Sequence, residues 1–483
     1  MATIPHIDQQ VYVVPSFTLE CGTELKEAPV AYKTWGRLNE ARDNVMIICH
    51  ALTGSADVED WWGPLMGRNK AFDPSRFFIF CGNTLGSPYG SASPVTINPD
   101  TGRPYGPAFP PTSIRDDVRI HLHILQTHLR VRSVAVVIGG SMGGMAVLEW
   151  PLCSPPGFVR RIVALATSAR HSAWCIAWGE SQRQSIYSDP EFQDGHYDPA
   201  AQPKSGLAAA RMCALLTYRS RDSFERRFGR KVQGVSKSKA AVAALMTPPA
   251  SPPLEAVDLH NDGNRSRRSP SVMSLDKPAT PLPPPRPPIF SAQSYLRYQG
   301  EKFISRFDAN CYIHITRKLD THDVARGRVT SSEDDDEDAA VATVLAGLPP
   351  RALIISIQSD GLFTPPEQAL LATHIPDSEL VVIPSGEGHD GFLVEFEEIN
   401  RRVLGYLRNE LAELYEESIE AVEGEDDFAV KKESVFGEAE VDLAQWTGSL
   451  GLSRVISTNI DPTGCIPALR HSQSDPMPYT HIL

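Results

Sequence analysis

The stretch that decides the fold is VAVVIGGSMGGMAVLEW, residues 134–150. It begins with an apolar, largely β-branched run, which is typical of a strand buried on both faces of a sheet. Gly139-Gly-Ser-Met-Gly143 follows, and Gly144 to Trp150 has the composition of a helix. A strand that turns sharply into a helix through G-x-S-x-G lifts the serine hydroxyl above the sheet edge, and the glycines leave room for that backbone. The pattern predicts a nucleophile at Ser141; a turn that only packs tightly or binds phosphate is the alternative.

Similar apolar runs lie on both sides of this stretch along the chain, at 45–49, 77–81, 162–166, 353–357 and 380–383. Between the second run and residue 134, Ser113-Ile-Arg-Asp116 has the capping-box pattern, and apolar residues then recur at helical spacing up to Leu129. Strand, helix and strand in this order form a βαβ unit. A late pattern from Phe392 to Leu407 predicts another helix packed on the sheet. We therefore predict an α/β fold with a mainly parallel, doubly wound sheet.

A nucleophilic serine needs a base, and the base needs a carboxylate to orient it. On a fold of this kind the chain order is Ser, then Asp or Glu, then His, with the last two on loops that follow later strands. Asp360 comes shortly after the run 353–357, and His389 comes shortly after 380–383. Because these loops lie at the carboxyl edge of the sheet, we predict that Ser141, His389 and Asp360 form a catalytic triad.

Acyl transfer through a serine also needs two backbone N–H groups directed at the developing oxyanion. The residue after the nucleophile, Met142, is the expected source of one. The loop His50-Ala-Leu-Thr-Gly54 follows the run 45–49 and is a candidate for the other. An ordinary strand–helix turn explains this loop equally well from spacing alone.

Length and composition limit the other possibilities. The chain has 483 residues, 41% of them hydrophobic and 22% charged, with a net charge of −13. This charge disfavours a generic nucleic-acid binder, which needs basic residues to neutralise phosphates. The sequence has no apolar run long enough to span a membrane and no recognisable leader peptide, so we expect a cytoplasmic protein. The eight cysteines form no C-x-x-C pair, and we expect reduced thiols and no metal site.

Three segments depart from the globular pattern. Twelve of the 40 prolines fall between Pro248 and Pro288, which predicts a disordered or polyproline II insert at about 231–290. The acidic run 331–338 is predicted to be a solvated loop. From 415 to 483 the chain is acidic and lacks strong periodicity, so we predict a poorly ordered tail.

Several motifs resemble those of the homoserine O-acetyltransferases. The N-terminal half carries His50-Ala-Leu-Thr-Gly54, Trp61-Trp62, Gly82-Asn-Thr-Leu-Gly86, Ile114-Arg-Asp-Asp-Val118 and the Gly140-to-Met145 segment. Farther along, the motifs are Ala210-Arg-Met212, Leu216-Thr-Tyr218, Arg226-Arg-Phe-Gly229, Ser294-Tyr-Leu-x-Tyr-Gln299 and Phe307-Asp-Ala-Asn310. The likeness covers about residues 17–230 and 291–413, and fungal members are similar in carrying an insert. One departure is Gly140, where many relatives have proline.

The resemblance implies an α/β-hydrolase fold with a helical lid inserted between strands and an organisation into four parts. Residues 1–170 and 346–414 would form the core, 171–345 the lid with its insert, and 415–483 the tail. The lid would pair two subunits into a homodimer.

The resemblance also implies the substrates and the roles of individual residues. Acetyl-CoA would be the acetyl donor and co-substrate, L-homoserine the acceptor, and no permanently bound cofactor would be needed. The oxyanion amides would come from Leu52 and Met142. Arg211 would hold the homoserine carboxylate with Tyr218 beside it, and Asp390 would meet the amino group.

Other functions on the same scaffold stay open from the sequence. Serine O-acetyltransferase and deacetylcephalosporin C acetyltransferase would differ in the acceptor pocket, and homoserine O-succinyltransferase would need a wider acyl site. A plain esterase would hydrolyse its substrate without CoA. A non-catalytic scaffold acting through the proline-rich insert is the most remote alternative, and the intact set of triad residues argues against it.

Overall fold

The computed structural model describes residues 6–232, 260–261, 289–329 and 337–416. Its strands are β1 (Gln10–Thr18), β2 (Glu24–Trp35), β3 (Val45–Cys49), β4 (Phe78–Gly82), β5 (Ile97–Asn98), β6 (Arg103–Pro104), β7 (Val134–Gly140), β8 (Val159–Leu165), β9 (Leu353–Ile357) and β10 (Glu379–Ile383). Eight of them form one sheet in the order β1-β2-β4-β3-β7-β8-β9-β10, and β5 pairs with β6 separately. All six apolar runs predicted as strands are strands of this sheet.

The sheet is parallel from β4 to β10, and β1 and β2 are antiparallel additions at one edge. The prediction of a mainly parallel, doubly wound sheet is therefore confirmed. It did not include β1 or β2. The edge strand β1 lacks a continuous buried run, since Val11 and Val13 are about half exposed. The inner strand β2 is buried from Val30 to Tyr32, but charged residues such as Lys26 and Lys33 interrupt its apolar pattern. The strand order reverses between β3 and β7, which places a crevice at their carboxyl ends.

The described helices are α1 (Val58–Trp62), α2 (Ile114–His123), α3 (Met142–Cys153), α4 (Ala173–Tyr187), α5 (Lys204–Tyr218), α6 (Arg221–Arg227), α7 (Ser291–Ile304), α8 (Ala309–Asp320), α9 (Glu337–Leu345), α10 (Pro365–His374), α11 (Gly391–Val394), α12 (Phe396–Glu410) and α13 (Glu413–Glu416). The predicted capping box is present at the start of α2, where the Asp116 carboxylate accepts from the Ser113 N–H at 2.9 Å. The predicted late helix is divided, because Glu395 leaves helical backbone angles (φ −83°, ψ 51°) between α11 and α12.

The buried apolar residues form three clusters. Two contain the side chains of the sheet with the helices beside it, and a third joins α3 to helices α4, α5, α7 and α8. These four helices lie between β8 and β9 in the chain, as predicted for an inserted lid. Helix α9 falls within the range predicted for the lid, 171–345, yet Val341, Val344 and Leu345 are buried in a cluster of the core.

The two ends of the predicted insert meet. Val232 and Phe290 form an antiparallel bridge, and the Ser291 N–H donates to the Lys231 carbonyl at 2.8 Å. Nearly all of the predicted insert, most of the acidic run 331–338 and nearly all of the predicted tail lie outside the described residues. Among the residues that are described, no helix is long and apolar enough to cross a membrane.

Candidate active site

Ser141 lies in the sharp turn between β7 and α3. Its backbone has φ 57° and ψ −125°, a strained conformation for a residue with a side chain. Two hydrogen bonds hold this turn: the Ser141 N–H donates to the Leu165 carbonyl at 3.0 Å, and Thr167 Oγ1 donates to the Ser141 carbonyl at 2.8 Å. A Cβ on Gly143 would stand 2.1 Å from the Cys49 carbonyl oxygen, so only glycine fits where α3 approaches the end of β3.

The structure brings the three predicted triad side chains into one hydrogen-bonded chain. His389 Nε2 lies 2.9 Å from Ser141 Oγ, and His389 Nδ1 lies 2.7 Å from Asp360 Oδ2. All three residues are buried. Because a carboxylate only accepts, Nδ1 carries the proton and Nε2 presents a lone pair to the serine hydroxyl. The arrangement is suited to removing a proton from Ser141 Oγ.

Asp360 and His389 are themselves held by the core. Asp360 Oδ1 accepts from the N–H groups of Leu362 and Phe363 at 2.8 and 3.0 Å. The imidazole of His389 lies between two aromatic rings, with centroids 5.2 Å from Phe363 and 5.0 Å from Phe392. The base is therefore oriented by contacts that belong to the sheet and its loops.

A cavity of about 700 Å³, part of it open to solvent, lies over the triad. Five predicted site residues line it, namely Leu52, Ser141, Tyr218, His389 and Asp390, together with lid residues of α4. Among those, Cys175 is not a competing nucleophile, because burial raises the pKa of its thiol to about 12. The cavity that contains Ser141 is thus walled by core loops on one side and by lid helices on the other.

The loop predicted to supply an oxyanion amide is fixed by a buried histidine and a buried arginine. His50 Nε2 accepts from the Thr84 N–H at 3.1 Å, and its Nδ1 donates to the Ala51 carbonyl at 2.9 Å. Burial lowers the pKa of His50 to about 4, so the ring is neutral, as the accepted bond requires. Arg306 Nη1 donates to the Thr53 carbonyl at 3.3 Å. Leu52 lies between these anchored residues, and Met142 begins α3; their oxyanion roles stay predictions.

The residues predicted to bind the acceptor lie at different depths. Tyr218 and Asp390 line the cavity. The guanidinium of Arg211 is buried next to that wall, 5.6 Å from the centroid of the Tyr218 ring and 5.0 Å from that of Phe303. The Tyr218 ring in turn lies 6.2 Å from that of His389.

Sequence reasoning missed Arg219. Its Nε lies 2.7 Å from Asp390 Oδ2 and its Nη1 donates to Glu387 Oε2 at 2.6 Å. Burial alone would lower the pKa of Arg219, but the surrounding acidic groups outweigh it and the pKa is raised. The only sequence signal was its place directly after Tyr218 in the Leu216-Thr-Tyr218 motif.

No group of three or more His, Cys, Asp or Glu side chains within the described ranges is arranged to hold a metal ion.

Comparisons with known proteins agree with this geometry. Residues 44–396 match the α/β hydrolase fold family. The chain is 56% identical to a homoserine O-acetyltransferase of Cryptococcus neoformans var. grubii, over 91% of this chain and 96% of the relative. It is 50% identical to the Saccharomyces cerevisiae homoserine O-acetyltransferase, over 91% of this chain and 94% of that one.

Solved structures with the same fold include a homoserine O-acetyltransferase from Bacillus anthracis, with a TM-score of 0.64 and 20% identity over 87% of this chain and 100% of that one. They also include an acetylester hydrolase from Corynebacterium glutamicum, with a TM-score of 0.60 and 22% identity over 85% and 96% of the two chains. At these identities the structural likeness shows the fold, whereas the fungal relatives show the family. The resemblance found in the motifs is confirmed: the chain belongs to the homoserine O-acetyltransferase family and is built on the α/β-hydrolase fold.

Proposed function

We propose that the protein transfers the acetyl group of acetyl-CoA to the hydroxyl of L-homoserine, giving O-acetyl-L-homoserine and CoA, a step of methionine biosynthesis. The observation that carries the proposal is the chain of short hydrogen bonds from Ser141 through His389 to Asp360 beneath a lid-covered cavity. Fungal relatives named homoserine O-acetyltransferase, which match this chain over 91% of its length, support the choice of donor and acceptor.

In the first half of the reaction, Ser141 Oγ attacks the thioester carbonyl while His389 Nε2 takes its proton. The Leu52 and Met142 amides donate to the oxyanion of the tetrahedral intermediate. When the carbon–sulfur bond breaks, the proton on His389 passes to the departing CoA sulfur. The products of this half are CoA and Ser141 acetylated on Oγ.

In the second half, His389 Nε2 takes the proton of the acceptor hydroxyl as its oxygen attacks the acetyl carbonyl. The same amides hold the second oxyanion, and the proton returns to Ser141 Oγ as the ester bond to the enzyme breaks. Arg211 would pair with the homoserine carboxylate, for which a guanidinium is the natural partner. Tyr218 would lie beside it, and Asp390 would bind the ammonium group.

The same proposal covers cofactors, assembly and location. Catalysis needs acetyl-CoA as co-substrate and no permanently bound cofactor. We propose a cytoplasmic homodimer joined through the lid, because large apolar side chains are exposed on three of its helices: Ile176 of α4, Leu216 of α5 and Tyr298 of α7. Removing exposed apolar side chains from water in an interface is favourable. Residues 171–345, with the exception of α9, would make up this lid.

The test is CoA release by the purified protein with acetyl-CoA and, in turn, L-homoserine, L-serine or no acceptor. Intact-protein mass spectrometry follows the acetyl adduct. We expect homoserine-dependent release and a transient adduct that is absent in Ser141→Ala. Truncating the base in His389→Ala removes positioned proton transfer, which is worth about 10²–10⁴-fold in rate.

The other outcomes are distinct. Release that depends on serine would keep the mechanism and change the acceptor. Release without an acceptor, accompanied by acetate, would indicate an esterase. The absence of both adduct and release, with succinyl-CoA as well as acetyl-CoA, would contradict the proposal.

A further inference from the structure

The turn between α5 and α6, referred to below as the corner, packs closely against the loop that carries the catalytic base. Gly388, with φ +75°, lies so close to this corner that a Cβ would stand 2.4 Å from the Ser220 nitrogen and 2.7 Å from the Arg219 carbonyl carbon. The lid and the His389 loop are therefore in direct backbone contact. Arg219 lies at this contact and is almost fully buried, its side chain 2% exposed.

Arg219 bonds to the acidic residues on both sides of His389. Its Nε pairs with Asp390 Oδ2 at 2.7 Å and its Nη1 with Glu387 Oε2 at 2.6 Å. Glu387 is further held by Ser223 Oγ at 2.7 Å and Arg227 Nη2 at 2.6 Å, and from the solvent side by Arg226 Nη2 at 2.8 Å. Glu387 is thus a fixed anchor for Arg219, and the same guanidinium holds the Asp390 carboxylate from the lid side.

His389 is positioned by different contacts. Its ring bonds to Asp360 and Ser141 and lies between Phe363 and Phe392 of the core, while the lid ring of Tyr218 is farther away at 6.2 Å. Loss of Arg219 would therefore disturb the Asp390 carboxylate more than the imidazole. Only the second half of the reaction requires an acceptor bound at Asp390. Loss of Arg219 should therefore slow the second half more than the first.

We propose that Arg219 is a positioning residue for the acceptor half of the reaction, holding the Asp390 carboxylate where it receives the ammonium group of the amino-acid acceptor. This inference rests on the proposed function. It also gives selectivity a physical basis: a carboxylate fixed by a buried, charge-assisted bond cannot turn to suit an acceptor that lacks the amino group.

The test compares Arg219→Met with the wild-type enzyme and with a matched control, Arg226→Met. Arg226 contacts the same Glu387 but its side chain is 62% exposed, and such an ion pair contributes little. For a ping-pong enzyme, kcat/KM for acetyl-CoA reports the first half and kcat/KM for the acceptor reports the second. Acceptors are L-homoserine and 4-hydroxybutanoate, which is homoserine without its amino group.

For Arg219→Met we expect kcat/KM for homoserine to fall about 10- to 100-fold, the effect of losing one hydrogen bond to a charged group. The value for acetyl-CoA should stay within about threefold, and the preference for homoserine over 4-hydroxybutanoate should shrink. In an Asp390→Asn background the same substitution should add little, because Arg219 acts through Asp390. Arg226→Met should resemble the wild type.

Three results would overturn the inference: equal losses in both halves, an unchanged preference between the two acceptors, or a full Arg219→Met effect in the Asp390→Asn background. If Arg219→Met does not fold, Arg219→Lys serves instead, since a single ammonium keeps the charge but loses the planar fork. The same three comparisons then decide. Failure of the wild type to release CoA with homoserine would refute the proposed function, and is seen before any variant is measured.

Discussion

Gly140 shows how a single position can be set by the residue that faces it. A Cβ at this position would stand 2.4 Å from the Cδ2 atom of Phe392, whose ring flanks His389. The family resemblance leads one to expect proline here, and a proline ring would meet the same obstacle. Residue 140 is therefore a glycine because the Phe392 ring, which packs on His389, occupies the space that a side chain would need.

We expect Gly140→Ala to push Phe392 away from His389. Overpacking of this kind costs about 1–3 kcal/mol in the free energy of unfolding, and turnover should fall as the base loses its neighbour. Urea unfolding and CoA release measure the two effects, with Gly405→Ala as the control, since a Cβ there has no neighbour within 4 Å. Phe392→Leu should partly rescue Gly140→Ala; normal stability and turnover in the single variant would refute this account.

The residues of the triad were predictable because each follows a recognisable strand. Ser141 lies in a local motif, and the order of Asp360 and His389 after later strands indicates which edge of the sheet they share. Arg219 was not predictable, because its partners Glu387 and Asp390 are far along the chain and meet it only across the boundary between lid and core. Pairings of that kind have no local pattern.

At the scale of helices and strands, the elements that could be predicted are those with an uninterrupted apolar run or a regular helical spacing of apolar residues. Continuous apolar runs were correctly predicted as strands, including the partly exposed edge strand β10, whereas β1 and β2, whose apolar residues alternate with polar ones, were missed. The break at Glu395 was missed because apolar residues on both sides keep a helical spacing. The packing of α9 on the core, like the pairing of α2 with α8, depends on the tertiary structure.

A fully buried ion pair links α8 of the lid to α2 of the core. Lys318 Nζ lies 2.8 and 2.6 Å from the two carboxylate oxygens of Asp117 and donates to the Leu85 carbonyl at 2.7 Å. Burial raises the pKa of Asp117 to about 6, against the opposing effect of Lys318, so the carboxylate is charged at neutral pH. Replacing only Lys318 by an uncharged residue would leave the buried Asp117 carboxylate without its ion-pair partner.

We expect Lys318→Met to lower the free energy of unfolding by about 3–5 kcal/mol, the usual cost of leaving a buried charge without its partner. Adding Asp117→Asn should recover part of the loss, because the amide is neutral and can still accept from the Leu85 N–H. Urea unfolding measures both, and Lys26→Met, from an exposed pair, should cost less than about 1 kcal/mol. A double variant no more stable than Lys318→Met would contradict the explanation.

For the whole molecule, a set of buried and half-buried histidines lowers the stability of the fold in acid. Burial lowers the pKa of His121, His171 and His314 to about 3 and that of His50 to about 4, and it also lowers the pKa of His322. The ordinary value is 6.5. Below that pH the unfolded chain binds protons that the folded chain does not, so folding stability falls as pH falls.

Each such histidine contributes a slope of about 1.4 kcal/mol per pH unit once the pH is well below its unfolded pKa. We therefore expect a steep loss of stability from about pH 6.5 downward, seen in urea unfolding at a series of pH values. His314→Gln should reduce the slope by about one proton, because glutamine does not titrate. Stability that stays constant down to about pH 5, both in the wild type and in His314→Gln, would contradict this account, because removing a histidine that titrates only in the unfolded chain must change the slope.

The bridge between Val232 and Phe290 has a consequence for how this family can vary in length. Because the chain leaves and returns at one point, α6 and α7 keep their places whatever number of residues joins them. The entropy of closing such a loop grows only with the logarithm of its length. Insertions and deletions here are thus nearly neutral for folding, and the gene can gain or lose codons at this point while the helices on either side are preserved.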